Sequence, residues 1–292
     1  MPMKGMPSFF AGDVKLVGDF DDQEWANRLS LSPGVLRVDE LHKGNRYTHQ
    51  AFVPRDGWRP LRGDELTWLT RDVTPSPDRR GTVYLDRFVE MPDFSELRDV
   101  AKRYGNVAAV RRFADSPSMR QVVSDARERV FDLFADAAPL KVQGINVSEP
   151  GHCTTSLQKP PVRRYVGLHV DQWRDDEPDI LPTASRLSFN IGNEARYFLM
   201  MNISVPAMRR MLDQQDANAL VVSRRFLSEF PEYPVLRVKI EPGEGYLAVT
   251  RNIIHDATSA DMTGIDLSVS FLGEFLKDSP FHERALARPL HC

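Results

Sequence analysis

The chain has 292 residues, 41% of them hydrophobic, and a formal net charge of −3. That length supports a self-sufficient core, and the near-balanced charge gives neither the basic surface of a nucleic-acid binder nor a face for acidic lipid. Two cysteines, Cys153 and Cys292, make no disulfide framework, no stretch approaches the roughly 20 apolar residues of a membrane span, and the start, MPMKGMPSFFAGDVKLVGDF, has no signal-like apolar run, so the expectation is a soluble, cytoplasmic protein whose partner is a small molecule, with no nucleic acid and no membrane.

No internal repeat or low-complexity linker divides residues 1–292, and the reading is one domain. In the first part, VKLVG, LRVDEL and YTHQAFV read as short strands. Residues 54–82 are rich in Pro, Arg, Gly and Asp and read as long loops. They carry Trp58 and Trp68, which serve either as a lid over a pocket or as core. Residues 116–137 read as a helix. Ser116 caps it, Pro117 takes the first position, and Met119, Val122, Val123, Ala126, Val130, Leu133 and Phe134 recur on one apolar face that buttresses a sheet.

After Pro139 the pattern changes to strands: LKVQGINVSE, RRYVGLHVD, SRLSFNIG, ARYFLMMNIS, VLRVKIEP, GYLAVTRNIIH and IDLSVSFLGEF. A helical insert over about 205–230 separates the fourth from the fifth. A run of strands with one helical excursion is not a βαβ alternation. The expected class is mainly β with flanking helices (α+β), with an antiparallel sandwich or jelly-roll core over about 140–275.

RRYVGLHVDQW carries the chemistry. Side chains alternate along a strand, so Tyr165, Gly167, His169 and Asp171 share one face. A His and a carboxylate two apart reach one metal ion together. The third ligand comes from PGEGYLAVTRNIIH, where a glycine turn opens a strand read as ending in His255. Two imidazoles and one carboxylate leave half of an octahedral shell open, the facial triad of non-haem iron(II) oxygenases. The plain alternatives are a strand-end hydrogen bond for His169 and Asp171, and a satisfied core imidazole for His255.

The order HVD, a strand with a basic residue, PGEGYLAVTRNIIH and a closing strand resembles the Fe(II)/2-oxoglutarate-dependent dioxygenase superfamily over roughly residues 140–275. The resemblance implies a double-stranded β-helix, with His169, Asp171 and His255 as metal ligands. It also implies Fe(II), 2-oxoglutarate and O2, and a reaction that couples oxidative decarboxylation of 2-oxoglutarate to oxidation of a substrate C–H bond. Many members carry an Arg on the last core strand for the far carboxylate of 2-oxoglutarate. Here that strand, IDLSVSF, offers Ser268 and Ser270 and no basic residue. Other members place the cation on the strand after the dyad, where Arg186 stands; Arg196 and Arg251 are rivals, Arg251 on His255's face if that strand is regular. A guanidinium suits a carboxylate through two parallel hydrogen bonds. Asp171 fills the position that halogenases of the superfamily leave to a small residue, which favours hydroxylation or a related oxidation over halogenation.

Tyr165, Gln172 and Trp173 are the candidate substrate contacts. Asn202 and Asn252 are candidate supports behind the ligands, and the acidic run RDDEPD reads as a solvated turn. Three other readings stand beside the oxygenase. One is an iron oxidase of the same fold that uses no 2-oxoglutarate. Another is a cupin-like zinc or nickel hydrolase or isomerase. The last is a β-sandwich binding module without chemistry.

Overall fold

The computed structural model describes residues 7–38, 47–71, 81–134, 140–159, 162–172 and 185–275. The first part contains β1 (Lys15–Gly18), α1 (Asp22–Arg28), β2 (Leu29–Ser32), β3 (Val35–Arg37), β4 (Phe52–Pro54), β5 (Arg59–Pro60), α2 (Gly63–Thr70), β6 (Thr82–Asp86), α3 (Ser95–Tyr104), α4 (Val107–Ala114) and α5 (Pro117–Leu133). The second contains β7 (Lys141–Ser148), β8 (Ser156–Lys159), β9 (Val162–Tyr165), β10 (Ser185–Asn190), β11 (Arg196–Ser204), α6 (Val205–Leu212), α7 (Ala219–Glu229), β12 (Val235–Ile240), β13 (Gly245–Ala248), β14 (Ile253–Thr258) and β15 (Asp266–Gly273).

Two sheets face each other. One runs β1-β6-β13-β10-β15-β7 and the other β14-β11-β12-β2-β5. The chain passes from one sheet to the other between β12 and β13, again between β13 and β14, and again between β14 and β15. Within the first sheet β15 lies between β7 and β10, and β13 flanks β10; each of these pairs is antiparallel. The segment that ends in the dyad lies against the free edge of β14 through a bridge between His169 and His255. Strands that alternate between sheets in this order form a double-stranded β-helix, the jelly roll expected from the sequence.

Alternation sorts the side chains. On β10, Leu187 and Phe189 point outward into a core made with α3, α4 and α5, as do Leu267, Val269 and Phe271 of β15. Arg186, Ser188, Asn190, Ser268 and Ser270 therefore face the space between the sheets. On the second sheet, Leu199, Met201 and Ile254 pack outward against α6 and α7. Phe198, Met200, Tyr246 and Ile253 belong to a third cluster, with Leu16, Val83 and Leu85 of β1 and β6. Each fully buried Leu or Phe contributes about 1.5–3 kcal/mol.

Helix α5 keeps its expected start. The Ser116 side chain accepts from Met119 N and Pro117 is the first helical residue. It stops at Leu133, and Phe134 turns into the core against Phe275, with ring centroids 5.0 Å apart. Three readings of the chain need correction. The stretch taken as loops contains α2, started by a capping box in which Arg62 N donates to Glu65 at 2.8 Å. Its tryptophans pack rather than cover a pocket: Trp68 meets Phe9 at 5.5 Å, and Trp58 lies under the Arg237 guanidinium at 4.6 Å. YTHQAFV is a turn and then β4, because Gln50 takes a φ of 64°. The largest departure is GYLAVTRNIIH. It is two strands in different sheets, broken by a turn in which Thr250 N donates to Ala248 O and Asn252 N donates to Val249 O.

Candidate metal centre

His169 and Asp171 sit on a short segment clamped from both sides. Strand β9 ends at Tyr165, and Gly167 has a φ of 73°. That positive φ re-aims the chain, so Tyr165 does not continue the alternation into His169. Beyond the glycine, Leu168 N donates to Phe52 O at 2.8 Å and Asp171 N donates to Thr250 O at 3.1 Å. His169 and His255 exchange both backbone hydrogen bonds, at 3.0 and 2.8 Å. The two imidazoles are thus brought side by side by main-chain pairing, with ring centroids 4.6 Å apart. His255 lies near the start of β14, not at the end of a strand.

A Cβ at Gly167 would lie 2.3 Å from Phe52 O. Gly167→Ala is therefore expected to destabilise the fold by about 2 kcal/mol or more, from the left-handed backbone and the clash together. Thermal unfolding measures this, and metal affinity falls in the same variant, because the displaced segment carries two of the three donors.

The donor atoms of His169, Asp171 and His255 all lie within 4.8 Å of one another. His169 Nε2 is 3.6 Å from Asp171 Oδ1, and His255 Nε2 is 3.9 Å from Asp171 Oδ2. Each ring's Nδ1 faces a backbone carbonyl, Gly167 O at 2.7 Å and Ile253 O at 3.2 Å. A carbonyl only accepts, so Nδ1 carries a hydrogen in both rings, which leaves Nε2 as the nitrogen that a metal would take. Lone pairs and a carboxylate gathered at one point call for a cation. The residues present therefore fit a divalent metal of the imidazole-and-carboxylate class.

The electrostatics agree. Burial brings His255 down to about 3, with His169 and Arg186 adding to the effect against Asp171. Burial also pulls His169 down, but its hydrogen bond to Asp171 and the carboxylates of Asp256 and Asp171 outweigh that and leave it raised. Asp171 is held well below the usual range: burial opposes this, and Arg186 and the two imidazoles prevail. Arg186 reaches Asp171 Oδ2 through Nε at 3.1 Å and Nη2 at 2.8 Å.

Asp171 and His255 of the triad line a cavity of about 180 Å³. Its walls include Arg186, Ser188, Arg196, Tyr246, Ser268 and Ser270, together with Asn146 and the Thr154–Ser156 stretch. Ser270 Oγ donates to Ser188 Oγ at 3.1 Å and accepts from Asn146 Nδ2 at 3.3 Å. Arg186 lies at the level of the metal ligands, in register with Ala248 and Leu272. Arg196 lies farther along: Met200 is the register partner of His255, and Arg196 is four residues further down the same strand. Arg196 Nε is 3.1 Å from Asp266 Oδ1.

The other residues singled out in the sequence fall as follows. Arg251 is in the turn before β14 and so shares no strand face with His255. Tyr165 is buried against Tyr47 and His152, with ring centroids 5.6 and 5.3 Å away. Gln172 is buried, and its Oε1 accepts from Ala219 N at 2.9 Å at the start of α7. Asn202 bridges Phe9 O and the Tyr233 hydroxyl, at 2.9 and 2.8 Å, away from the ligands. Asn252 belongs to the same turn as Arg251. Trp173 and the acidic run lie outside the described residues. Sequence reasoning missed Tyr246 and the Thr154–Ser156 stretch; only the strand alternation around Tyr246 could have found either.

The sequence matches no protein-family model and no curated protein. Among solved structures, the chain is similar to the apo form of the Kdo hydroxylase KdoO, described as a non-heme Fe(II) alphaketoglutarate dependent dioxygenase. The identity is 14% over 72% of this chain and 87% of that one, with a TM-score of 0.35. The same protein in complex with alphaketoglutarate and Fe(III) matches at 14% identity over 72% of this chain and 88% of that one, again with a TM-score of 0.35. No helix among the described residues is long and apolar enough to cross a membrane.

Proposed function

We propose that this chain is an iron(II)- and 2-oxoglutarate-dependent oxygenase that oxidises a C–H bond of a small molecule, such as an amino acid or a specialised metabolite. One observation carries the reading: two imidazoles and one carboxylate, all buried, converge inside a double-stranded β-helix, and two of the three line a polar cavity. His169, His255 and Asp171 would hold the metal, with Asp171 Oδ2 also held by Arg186. Bound there, iron and co-substrate supply the oxidising power. The protein positions the reactants and excludes water.

The far carboxylate of 2-oxoglutarate needs a cation deeper in the cavity. Arg186 was the first candidate from the sequence, but both its bonds to Asp171 tie it to the metal level. Arg196 suits the deeper role, with Ser268 beside it among the cavity walls. Substrate enters from the side of the Thr154–Ser156 stretch, which Tyr165 borders as the register partner of Ser156.

A second reading, an iron oxidase without 2-oxoglutarate, is favoured by one feature. Both cavity arginines already face carboxylates, Arg186 on Asp171 and Arg196 near Asp266. Thermal unfolding without oxygen separates the two. Fe(II) raises the melting temperature in either case. 2-Oxoglutarate adds a further rise in the presence of metal only under the first reading, worth about 2.7 kcal/mol at a hundredfold excess over Kd. With oxygen admitted, the first reading also requires succinate to form. A protein indifferent to Fe(II) would sink both.

A further inference from the structure

Arg196, in the cavity wall, pairs with Asp266 behind it in a way that departs from an ordinary buried salt bridge. Both side chains are almost fully enclosed, 1% and 5% exposed. Arg196 Nε approaches Asp266 Oδ1 to 3.1 Å, yet among the described residues neither that nitrogen nor either carboxylate oxygen has a hydrogen-bond partner. Three polar atoms in one buried pair are therefore held by charge alone. A buried carboxylate with no donor is a costly species, and the neighbouring Arg196 favours its ionised form against that cost.

Among the described residues, nothing else helps Asp266. Across from it on β7 stands Ser148. On the β10 side, Ile191 N donates to Leu267 O at 3.1 Å, and Asn190 donates to backbone carbonyls. Glu194, in the loop between β10 and β11, is held by Thr263 and Gly264 backbone N–H groups at 2.9 and 2.8 Å. Arg196 is the charge that acts on Asp266.

We propose that Asp266 takes up a proton from solvent when an anion binds at Arg196, which makes the cavity floor a proton-coupled carboxylate site. This rests on the co-substrate reading above. A ligand carboxylate directed at Arg196 puts a second negative charge beside Asp266. Two close buried carboxylates sharing one cation do not both stay ionised. Arg196 is committed to the ligand, so the proton goes to Asp266. Burial already pushes the Asp266 carboxyl above its usual range against the pull of Arg196, and a second anion pushes it the same way. Protonation also turns an acceptor without a donor into a hydroxyl that can donate.

The sign follows from linkage. Anion binding raises the Asp266 pKa above its value in the free protein. Affinity is then flat below the free value, falls up to about tenfold per pH unit between the free and bound values, and is flat again above. The last closing strand, which offers no basic residue, instead tunes the anion site through an acid.

The experiment is anaerobic calorimetry on protein saturated with Fe(II). 2-Oxoglutarate is titrated across a pH series in two buffers of different ionisation enthalpy. The expected result is uptake of up to about one proton per ligand and an affinity that weakens as pH rises. 2-Oxovalerate has the same keto-acid end and no far carboxylate, so it is expected to bind without that uptake. Any proton moved at the histidines appears with both ligands and cancels in the comparison. Asp266→Asn should abolish the uptake and bind 2-oxoglutarate more tightly than wild type at high pH. Equal proton uptake with the two keto acids, or uptake that persists in Asp266→Asn, overturns the proposal while leaving the co-substrate reading intact. If the variant fails to fold, the two keto acids on wild type still decide. 2-Oxoglutarate that binds at no pH overturns the co-substrate reading, and this proposal with it.

Discussion

His169→Ala and His255→Ala each reduce metal affinity by more than about a hundredfold, measured by competition with a chelator under anaerobic conditions. Losing an outer-shell partner alone costs 10–100-fold, and each of these substitutions removes a donor itself. Folding survives, because the backbone bridge between the two residues needs no side chain. Alanine leaves a cavity where each imidazole was and removes an Nδ1–H donor from a backbone carbonyl, so the melting temperature falls modestly. The pH profile of metal binding carries a second signature. His255, brought down to about 3, is neutral through the working range and releases no proton when metal binds. His169, raised by Asp171, is the ligand that must lose one. Below its pKa metal must displace that proton, so affinity rises with pH up to the His169 pKa with a slope of one proton. Wild-type affinity in either variant would contradict the assigned donor set, and a slope of two would put the His255 imidazole back in its ordinary range.

The dyad was legible in the sequence because its chemistry is local. His-x-Asp puts two donors within reach of one ion over three residues, and Val170 between them belongs to the outer core. His255 was legible for a different and partly mistaken reason. GYLAVTRNIIH reads as one strand because Val249 through Asn252 contain neither glycine nor proline, yet the chain turns there and changes sheet. The turn is fixed by tertiary pairing, β13 on β10 and β14 on β11, and no local signal records it. Arg251 lost its expected place for the same reason. The pairing of Arg196 with Asp266 joins the first residues of two strands well apart in the chain. The sequence reading of IDLSVSF looked for a missing cation and passed over the acid at its second position. In the first part, β1 and β6 pair parallel to each other and extend the first sheet beside β13, a placement that short strands in a loop-rich stretch do not announce.

Arg196→Met is expected to weaken 2-oxoglutarate binding roughly ten- to a hundredfold at saturating metal, and to leave metal affinity within about twofold of wild type. A hydrogen bond to a charged group is worth about 1.5–3 kcal/mol, which converts to that range at 1.4 kcal/mol per decade. Methionine keeps most of the apolar volume of the arginine stem, so the loss reports the guanidinium rather than packing. Asp266, left without its cation, takes a proton and does not remain as a stranded charge. Arg186→Met should do the reverse. Its two bonds hold Asp171 Oδ2 and leave Oδ1 for the metal, so its loss frees a ligand to swing and lowers metal affinity by about 10–100-fold. Once metal is saturating, 2-oxoglutarate affinity in that variant returns close to wild type. Arg251→Met, in the turn, changes neither constant. The two titrations thus separate a cation that holds the co-substrate from one that holds a ligand of the metal. If Arg186→Met weakens 2-oxoglutarate at saturating metal while Arg196→Met does not, the carboxylate belongs to Arg186, at the metal level, and the cavity floor serves another purpose. If neither variant alters 2-oxoglutarate binding, the co-substrate has no cation among the two that line the cavity, and the oxidase that works without it becomes the better account of the site.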